Sequence, residues 1–166
     1  MQAKKLLHAL LKKACPTMHG HRFSSLLTCC EALLFGQQLT LTHIGRSINN
    51  QVAAKHNIKK VDRLLSNQQL HQECFSIYTS LAQAFLAGVK APVILIDWSD
   101  LTCTRSHFLL RATLAVKGRS ITLYEEVHEQ LDNRKTHDQF LQRLKELLPK
   151  NASPIIVTDA GFRGTG

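Results

Sequence analysis

Two aspartates, each at the end of a short apolar run, are the residues of this chain best placed to do chemistry. Asp97 follows the apolar residues 93–96, and Asp159 follows residues 154–158. Short β-favouring runs bounded by Pro, Ser or Gly are typical of buried strands. Mg²⁺ takes oxygen ligands and is usually bound by one or two carboxylates together with substrate phosphates. Because two such ions can clamp the attacking and leaving oxygens of a phosphoryl transfer, the sequence predicts part of a site that cuts nucleic acid.

The elements around these aspartates predict a sheet with one crossover helix. Residues 108–116 and 120–127 have the pattern of a β-hairpin, and Thr136 with Gln139 forms a capping box that opens a helix. A strand that follows this helix and pairs parallel to the first strand requires a right-handed crossover. The order strand-strand-strand-helix-strand is how the ribonuclease-H-like fold begins, with a carboxylate on its first and fourth strands. We therefore predict an incomplete ribonuclease-H-like catalytic domain over 89–166.

The first half of the chain predicts helices. Apolar residues recur at helical spacing through 23–34, and Gly36 ends that helix. Thr40 caps a short helix, and after a polar turn a second helix over 52–65 is predicted to bury residues 54, 58, 61 and 65. Two short helices around a turn, the second with a basic stripe, are typical of a helix-turn-helix. The residues predicted to contact DNA are Arg46, Asn49, Lys55, Lys59, Lys60 and Arg63; a solvated basic helix is the alternative.

The positive charge is concentrated in this helical half. Residues 1–70 hold ten Lys or Arg against two acidic residues, a net of +8 out of the chain's +9. Such a bias favours contact with a polyanion. We therefore predict a helical, basic DNA-binding region over 1–88, followed by the catalytic region, so that the fold class is α followed by α/β.

Length, hydropathy and cysteines exclude several other classes of protein. The 166 residues suit one domain or two small ones, and no apolar stretch approaches the ~20 residues that a membrane span requires. The N-terminus has no apolar core or cleavage site of a signal peptide, so we expect a cytoplasmic protein with no membrane partner. Five cysteines argue against a disulfide framework. A zinc site of Cys15, His19, His21 and Cys29 is an alternative, although its spacing does not match a zinc finger.

Taken together, these segments resemble the N-terminal part of a bacterial insertion-sequence transposase of the DDE class. The resemblance is to the cut-and-paste group found at the ends of composite antibiotic-resistance transposons, and it extends over nearly the whole chain. Six ordered blocks carry it: LTLT at 39–42, KHNIKKVDRLL at 55–65, IDWSD at 96–100, GRSITLYE at 118–125, HDQFL at 137–141 and DAGF at 159–162.

The resemblance implies a catalytic triad of two aspartates and one glutamate that hold two Mg²⁺ ions. These ions activate water, and then a DNA 3′-hydroxyl, as nucleophiles. The two aspartates fall on Asp97 and Asp159, which the resemblance makes both catalytic residues and metal ligands. It also implies that the helical region binds the inverted-repeat ends of a mobile element as double-stranded DNA. Self-association, or association with a full-length transposase, is a further expectation.

One part of the family pattern has no counterpart in the sequence. The family's glutamate lies well beyond the second aspartate, on a helix with a Tyr, Arg, Glu and Lys signature, whereas this sequence ends at Gly166. We therefore expect a truncated form with weak or absent Mg²⁺ occupancy and almost no catalysis; Asp100, Glu125 and Glu126 are the other carboxylates that could lend an oxygen. Two alternatives stay open: a non-catalytic DNA-binding remnant that occupies element ends and inhibits transposition, and a phosphatase with an aspartate nucleophile.

Overall fold

The computed structural model describes residues 2–36, 38–131, 134–159 and 162. The chain forms two compact units, Met1–Ile77 (unit 1) and Tyr78–Gly166 (unit 2). The division falls inside a helix, whereas the sequence analysis placed a domain boundary at residue 88. In the described residues the fold is mixed, with six helices and one four-stranded sheet.

The regular elements in the described residues of unit 1 are all helices. Its elements are α1 (Gln2–Ala14), α2 (Gly20–Phe35), α3 (Leu41–Ser47), α4 (Ala54–Leu65) and the first part of α5 (Gln68–Phe85). Buried residues from α2, α4 and α5, from α3 and its C-terminal end, and from the α1–α2 connection form one core, against which the partly buried Ala14 of α1 packs; the core includes Cys15, Cys29, Ile44, Val61, Leu64 and Leu70. Four of the chain's helices are therefore held to one another by apolar burial before α5 leaves the unit.

The predicted ends of α2 and α3 are confirmed. The backbone N–H of Gly36 donates to the carbonyl oxygen of Ala32 at 2.8 Å, just after the last residue of α2. The Thr40 side chain accepts a hydrogen bond from the backbone N–H of His43 at 3.2 Å. Both contacts satisfy backbone groups that a helix end leaves without an intrahelical partner.

The predicted buried face of α4 is wrong in part. Val61 is buried as expected, but Ala54 is exposed and Leu65 is 51% exposed. The structure instead buries Asn57, Val61 and Leu64. Hydrophobic periodicity missed this face because one of its three positions is an asparagine.

Unit 2 contains a mixed sheet and one crossover helix. The strands are β1 (Val93–Asp100), β2 (Phe108–Val116), β3 (Arg119–His128) and β4 (Ile155–Thr158), and α6 (Arg134–Leu147) precedes β4. Their order is β3-β2-β1-β4, with β1 antiparallel to β2 and parallel to β4. The predicted element order is confirmed. The capping box is not, because α6 begins at Arg134 and Thr136 already lies inside the helix.

One face of the sheet carries the core and contacts α6. Phe140 stacks on Tyr124 with ring centroids 5.2 Å apart, and Phe140, Leu144 and Leu147 of α6 are fully buried. The opposite face is open in the described residues: Leu95, Val157 and Ile155 are 39%, 45% and 55% exposed. Asp97 belongs to this open face, because side chains alternate between the faces along a strand.

A β-bulge in β3 decides which of its side chains share that open face. The register shifts between Ala112 and Thr113 of β2, so that Leu123 is an extra residue in β3. Strict alternation along a strand predicts Ile121, Leu123 and Glu125 on one face, and the bulge makes that prediction wrong for Glu125. Glu125 lies opposite Arg111 and therefore on the open face.

Candidate functional site

The first candidate surface begins with the close crossing of α3 and α4. A Cβ added at Gly45 would lie 2.6 Å from the Cα of Ile58 and 2.7 Å from its backbone nitrogen. Only a residue without a side chain fits there, so Gly45 fixes how closely the two helices approach. Ile44 and Val61 are buried in the same core.

The turn between α3 and α4 is held by a pair of asparagines. Asn57 Nδ2 donates to Asn50 Oδ1 at 2.9 Å, and Asn50 Nδ2 donates to Asn57 Oδ1 at 3.2 Å. Asn50 Oδ1 also accepts from the backbone N–H of Val52 at 3.0 Å. Asn57 is 4% exposed, and a buried amide needs such partners. Sequence reasoning missed this pair; the signal was a polar residue at a core position of the predicted helix.

The residues predicted to contact DNA lie on the outside of this helix pair. Arg46, Lys55, Lys59 and Arg63 are exposed side chains of α3 and α4; Asn49 is exposed in the turn, and Lys60 is half-buried. Successive turns of α4 place Lys55, Lys59 and Arg63 above one another. Arg63 Nε donates to the backbone oxygen of Lys59 at 3.2 Å. Helical spacing therefore brings Lys55, Lys59 and Arg63 to one basic side of α4, with Lys60 at its edge, and we call this side the α4 face.

The second candidate site is at the ends of β1 and β4. The parallel register pairs Leu95 with Val157 and Ile96 with Thr158. Asp97 and Asp159 are each the next residue along these strands, so the register places them side by side on the open face. Neighbouring strands are about 4.8 Å apart, and both carboxylates are exposed. The predicted pair is thus brought together.

Asp97 and Asp159 continue into a row of charged residues across the sheet. Arg111 is the register partner of Asp97 on β2, and its Nε donates to Glu125 Oε2 at 2.9 Å. The row from β3 to β4 is therefore Glu125, Arg111, Asp97 and Asp159. Arg111 separates Glu125 from the aspartates, and its positive charge lies next to theirs.

The other two carboxylates considered as helpers are engaged elsewhere. Asp100 accepts from Arg105 Nε at 3.2 Å. Glu126 lies on the α6 side of the sheet, where Tyr124 and Arg143 both donate to its Oε1. Burial and the neighbouring Glu126 carboxylate raise the pKa of Tyr124 to about 12. This network anchors α6 to the sheet.

No group of three or more His, Cys, Asp or Glu that could hold a metal ion occurs among the residues that the structure describes. The zinc alternative therefore has no support: Cys15 and Cys29 are buried, and burial raises the pKa of both thiols. The Asp97 and Asp159 carboxylates fit a Mg²⁺ site instead. Mg²⁺ is commonly bound by one or two carboxylates and completes its coordination shell with water or phosphate.

An aromatic cluster directly behind Asp97 was missed by sequence reasoning. Trp98 Nε1 donates to His137 Nε2 at 3.0 Å, and His137 is buried. An Nε2 that accepts a hydrogen bond fixes the neutral tautomer with its proton on Nδ1. His137 also stacks on Phe162 at a centroid distance of 3.8 Å. The cluster joins His137 near the start of α6 to Trp98, which directly follows Asp97, and to Phe162, which closely follows Asp159. Residues 160 and 161 lie outside the described part of the chain.

Comparison of the chain with protein-family models, with curated proteins and with solved structures finds no match. In the described part of the chain, none of the helices is both long and apolar enough to cross a membrane. The functional interpretation therefore depends on the α4 face and the carboxylate pair.

Proposed function

We propose that unit 1 binds double-stranded DNA through the α4 face and that unit 2 carries two of the three carboxylates of a DDE-class transposase. The observation that carries this proposal is the matched register of Asp97 and Asp159 on adjacent parallel strands. Two carboxylates at one edge of a sheet are the ligand set for a hard divalent cation. The basic helices α3 and α4 of the same chain would contact DNA, which is the polyanion that such a site cuts.

The topology of unit 2 supports the same proposal. Three antiparallel strands followed by a crossover helix and a fourth strand parallel to the first give the order β3-β2-β1-β4. This is the arrangement with which the ribonuclease-H-like fold begins, and it is consistent with the sequence resemblance. On these grounds we propose the ribonuclease-H-like fold for unit 2.

Asp97 and Asp159 are the residues that would hold Mg²⁺. When bound, the ion supplies activation of water and then of a DNA 3′-hydroxyl. The residues of the chain itself provide two adjacent, exposed carboxylates and a positive charge at Arg111, where a phosphate oxygen can be attracted. Two carboxylates alone bind Mg²⁺ weakly, since the ion then keeps most of its water.

The DNA that unit 1 would bind is the inverted-repeat end of a mobile element. Lys55, Lys59 and Arg63 recur once per turn along α4, and we propose Arg46 at the end of α3 and Asn49 in the turn as further DNA contacts. The partners in this proposal are that DNA and either a second copy of the chain or a full-length transposase.

A non-catalytic DNA-binding role is the second candidate. It is favoured by one observation: in the described residues no third metal-binding side chain joins Asp97 and Asp159. A chain that occupies element ends without cutting them would inhibit transposition. Binding is common to both candidates, and only strand cleavage separates them.

The DNA-binding part is tested by comparing two triple variants with equal loss of charge. Lys55→Ala/Lys59→Ala/Arg63→Ala changes the α4 face, and Lys5→Ala/Lys12→Ala/Lys13→Ala changes exposed lysines of α1. Affinity for DNA falls with salt, and each lost phosphate contact reduces the magnitude of the slope of log K against log salt by about 0.9. We expect this magnitude to fall by up to about 2.7 in the α4 variant and by much less in the α1 variant. Equal losses would contradict the assignment of the α4 face.

The carboxylate pair is tested with Mn²⁺ as a paramagnetic probe in place of Mg²⁺. NMR signals of residues at the ends of β1 and β4 should broaden in the wild type and not in Asp97→Asn/Asp159→Asn. Asp138→Asn, an exposed carboxylate of α6, is the control and should broaden like the wild type. Incubation of the protein with labelled element ends and Mg²⁺ then shows whether the chain cuts DNA or only binds it. Broadening that survives in the double variant would refute the metal-site proposal.

A further inference from the structure

A second basic feature of unit 1 lies beside the α4 face. It is a concave pocket of about 330 Å³, formed where the first turn of α2 meets the flank of α4. Five cationic or titratable side chains line it without a carboxylate among them: His19, His21, Arg22, Lys60 and Arg63. We call this concavity the histidine pocket.

The two histidines are arranged as a pair. Their rings stack with centroids 5.5 Å apart and planes at 29°, and both side chains are exposed. Two stacked imidazoles beside Lys60 and Arg63 repel one another when protonated. An anion in the pocket relieves that repulsion and accepts hydrogen bonds from the imidazolium N–H groups.

The rest of the lining favours an anion as well. Arg22 is held in place by a two-point ion pair with Glu73, at 2.7 and 2.9 Å, which neutralises the Glu73 carboxylate. Ser25 and Asn67 add polar groups. The side chain of His19 makes no capping hydrogen bond at the start of α2, so the helix end does not engage its imidazole.

We propose that the histidine pocket binds a phosphodiester group of the DNA backbone and makes DNA affinity depend on pH. The inference rests on the proposed DNA binding by unit 1 and adds a site that the α4 residues alone do not define. Lys60 and Arg63 belong to both features, so a duplex lying on the α4 face presents its backbone to the pocket. Phosphate contacts of this kind set the position of a protein on DNA without reading sequence.

The pH dependence follows from linkage. Imidazole is the side chain whose charge normally changes between about pH 5 and 8. A phosphate in the pocket binds the doubly protonated pair better than the neutral pair, so binding takes up protons and affinity rises as pH falls. The charged groups that face the pair are Arg22, Lys60 and Arg63, with Glu73 already paired to Arg22.

The test measures binding of a random-sequence duplex by fluorescence anisotropy between about pH 6 and 8 at constant salt. We expect wild-type affinity to rise roughly tenfold towards the lower pH, because up to two protons are taken up. His19→Gln/His21→Gln should bind with little pH dependence. The matched control, His8→Gln/His71→Gln, changes two other exposed histidines of unit 1 and should behave like the wild type.

Three results would overturn the inference, and they are distinguishable. Wild-type protein that fails to bind duplex even at low salt would refute the proposed DNA binding and this inference with it. Equal pH dependence of the wild type and His19→Gln/His21→Gln would refute the pocket alone. The wild type also permits a test that needs no variant: inorganic phosphate should shift the NMR signals of the His19 and His21 rings, and unshifted signals would refute the site.

Discussion

The close crossing at Gly45 permits a sharp test of how unit 1 presents α4. In Gly45→Ala the new Cβ would lie 2.6 Å from the Cα of Ile58, about 0.8 Å short of the 3.4 Å at which ordinary contact begins. A backbone atom cannot change rotamer, so the helices must move apart and loosen the packing of Ile44 and Val61. Such overpacking lowers the free energy of unfolding by up to about 3 kcal/mol, and the higher helix propensity of alanine raises it by about 1 kcal/mol.

We therefore expect Gly45→Ala to lower the free energy of unfolding by about 2 kcal/mol. If unit 1 unfolds cooperatively, its Tm falls by roughly 8 to 16 °C. The measurement is urea and thermal unfolding followed by far-ultraviolet circular dichroism, with duplex affinity measured in parallel.

Gly20→Ala is the matched control, because nothing lies within 4 Å of a Cβ at that position. It should remain within about 0.5 kcal/mol of the wild type. If Gly45→Ala proves as stable as Gly20→Ala, the close approach of α3 and α4 and the reasoning built on it are refuted.

Three further predictions concern other parts of the molecule. Asn57→Ala should destabilise unit 1 by about 1 to 3 kcal/mol, because both hydrogen bonds between Asn57 and Asn50 are lost, whereas the exposed Asn49→Ala should change unfolding by less than about 0.5 kcal/mol; equal urea midpoints would contradict the asparagine pair. Tyr124 should ionise at about pH 12 in an ultraviolet absorbance titration, and Tyr124→Phe should lack that step. Since the raised pKa belongs to the folded state, the stability Tyr124 contributes is complete below pH 10, its ordinary pKa, and is lost as the pH rises to about 12; a midpoint near 10 would refute the buried network. Cys103 is the exposed thiol among the five cysteines, so Cys103→Ser should abolish the fast phase of labelling by a thiol reagent, and a surviving fast phase would contradict the lower exposure of the other four.

The strands and helices could be predicted because their signals are local. The apolar runs before Asp97 and Asp159 indicate β1 and β4, and the crossover helix between them implies that they pair in parallel. The Thr40 cap and Gly36 likewise depend on neighbouring residues alone. These features needed no knowledge of distant contacts.

The parts that could not be predicted depend on contacts between distant residues. The burial of Asn57 depends on Asn50 across a turn, and that of His137 on Trp98 from another element. The face of Glu125 depends on a bulge, which no period-two pattern reveals. For the same reason His19 and His21 could be noticed in the sequence but not assigned, since the helix flank that completes their pocket lies some forty residues away.

The bulge at Leu123 has a consequence for changes in chain length. Deleting that one residue would restore regular alternation and leave every later side chain of β3 opposite its present partner, because Leu123 is the residue without a partner in β2. If the present sequence instead alternated regularly from Thr122, Tyr124 would lie opposite Arg111, Glu125 would turn towards α6, and Glu126 would turn away from Arg143. The residue beside Arg111 is thus set by the bulge and not by the type of residue at either position. Point substitutions can vary these side chains one at a time, and the bulge residue is the place where β3 can lose length without changing which side chain lies opposite Arg111.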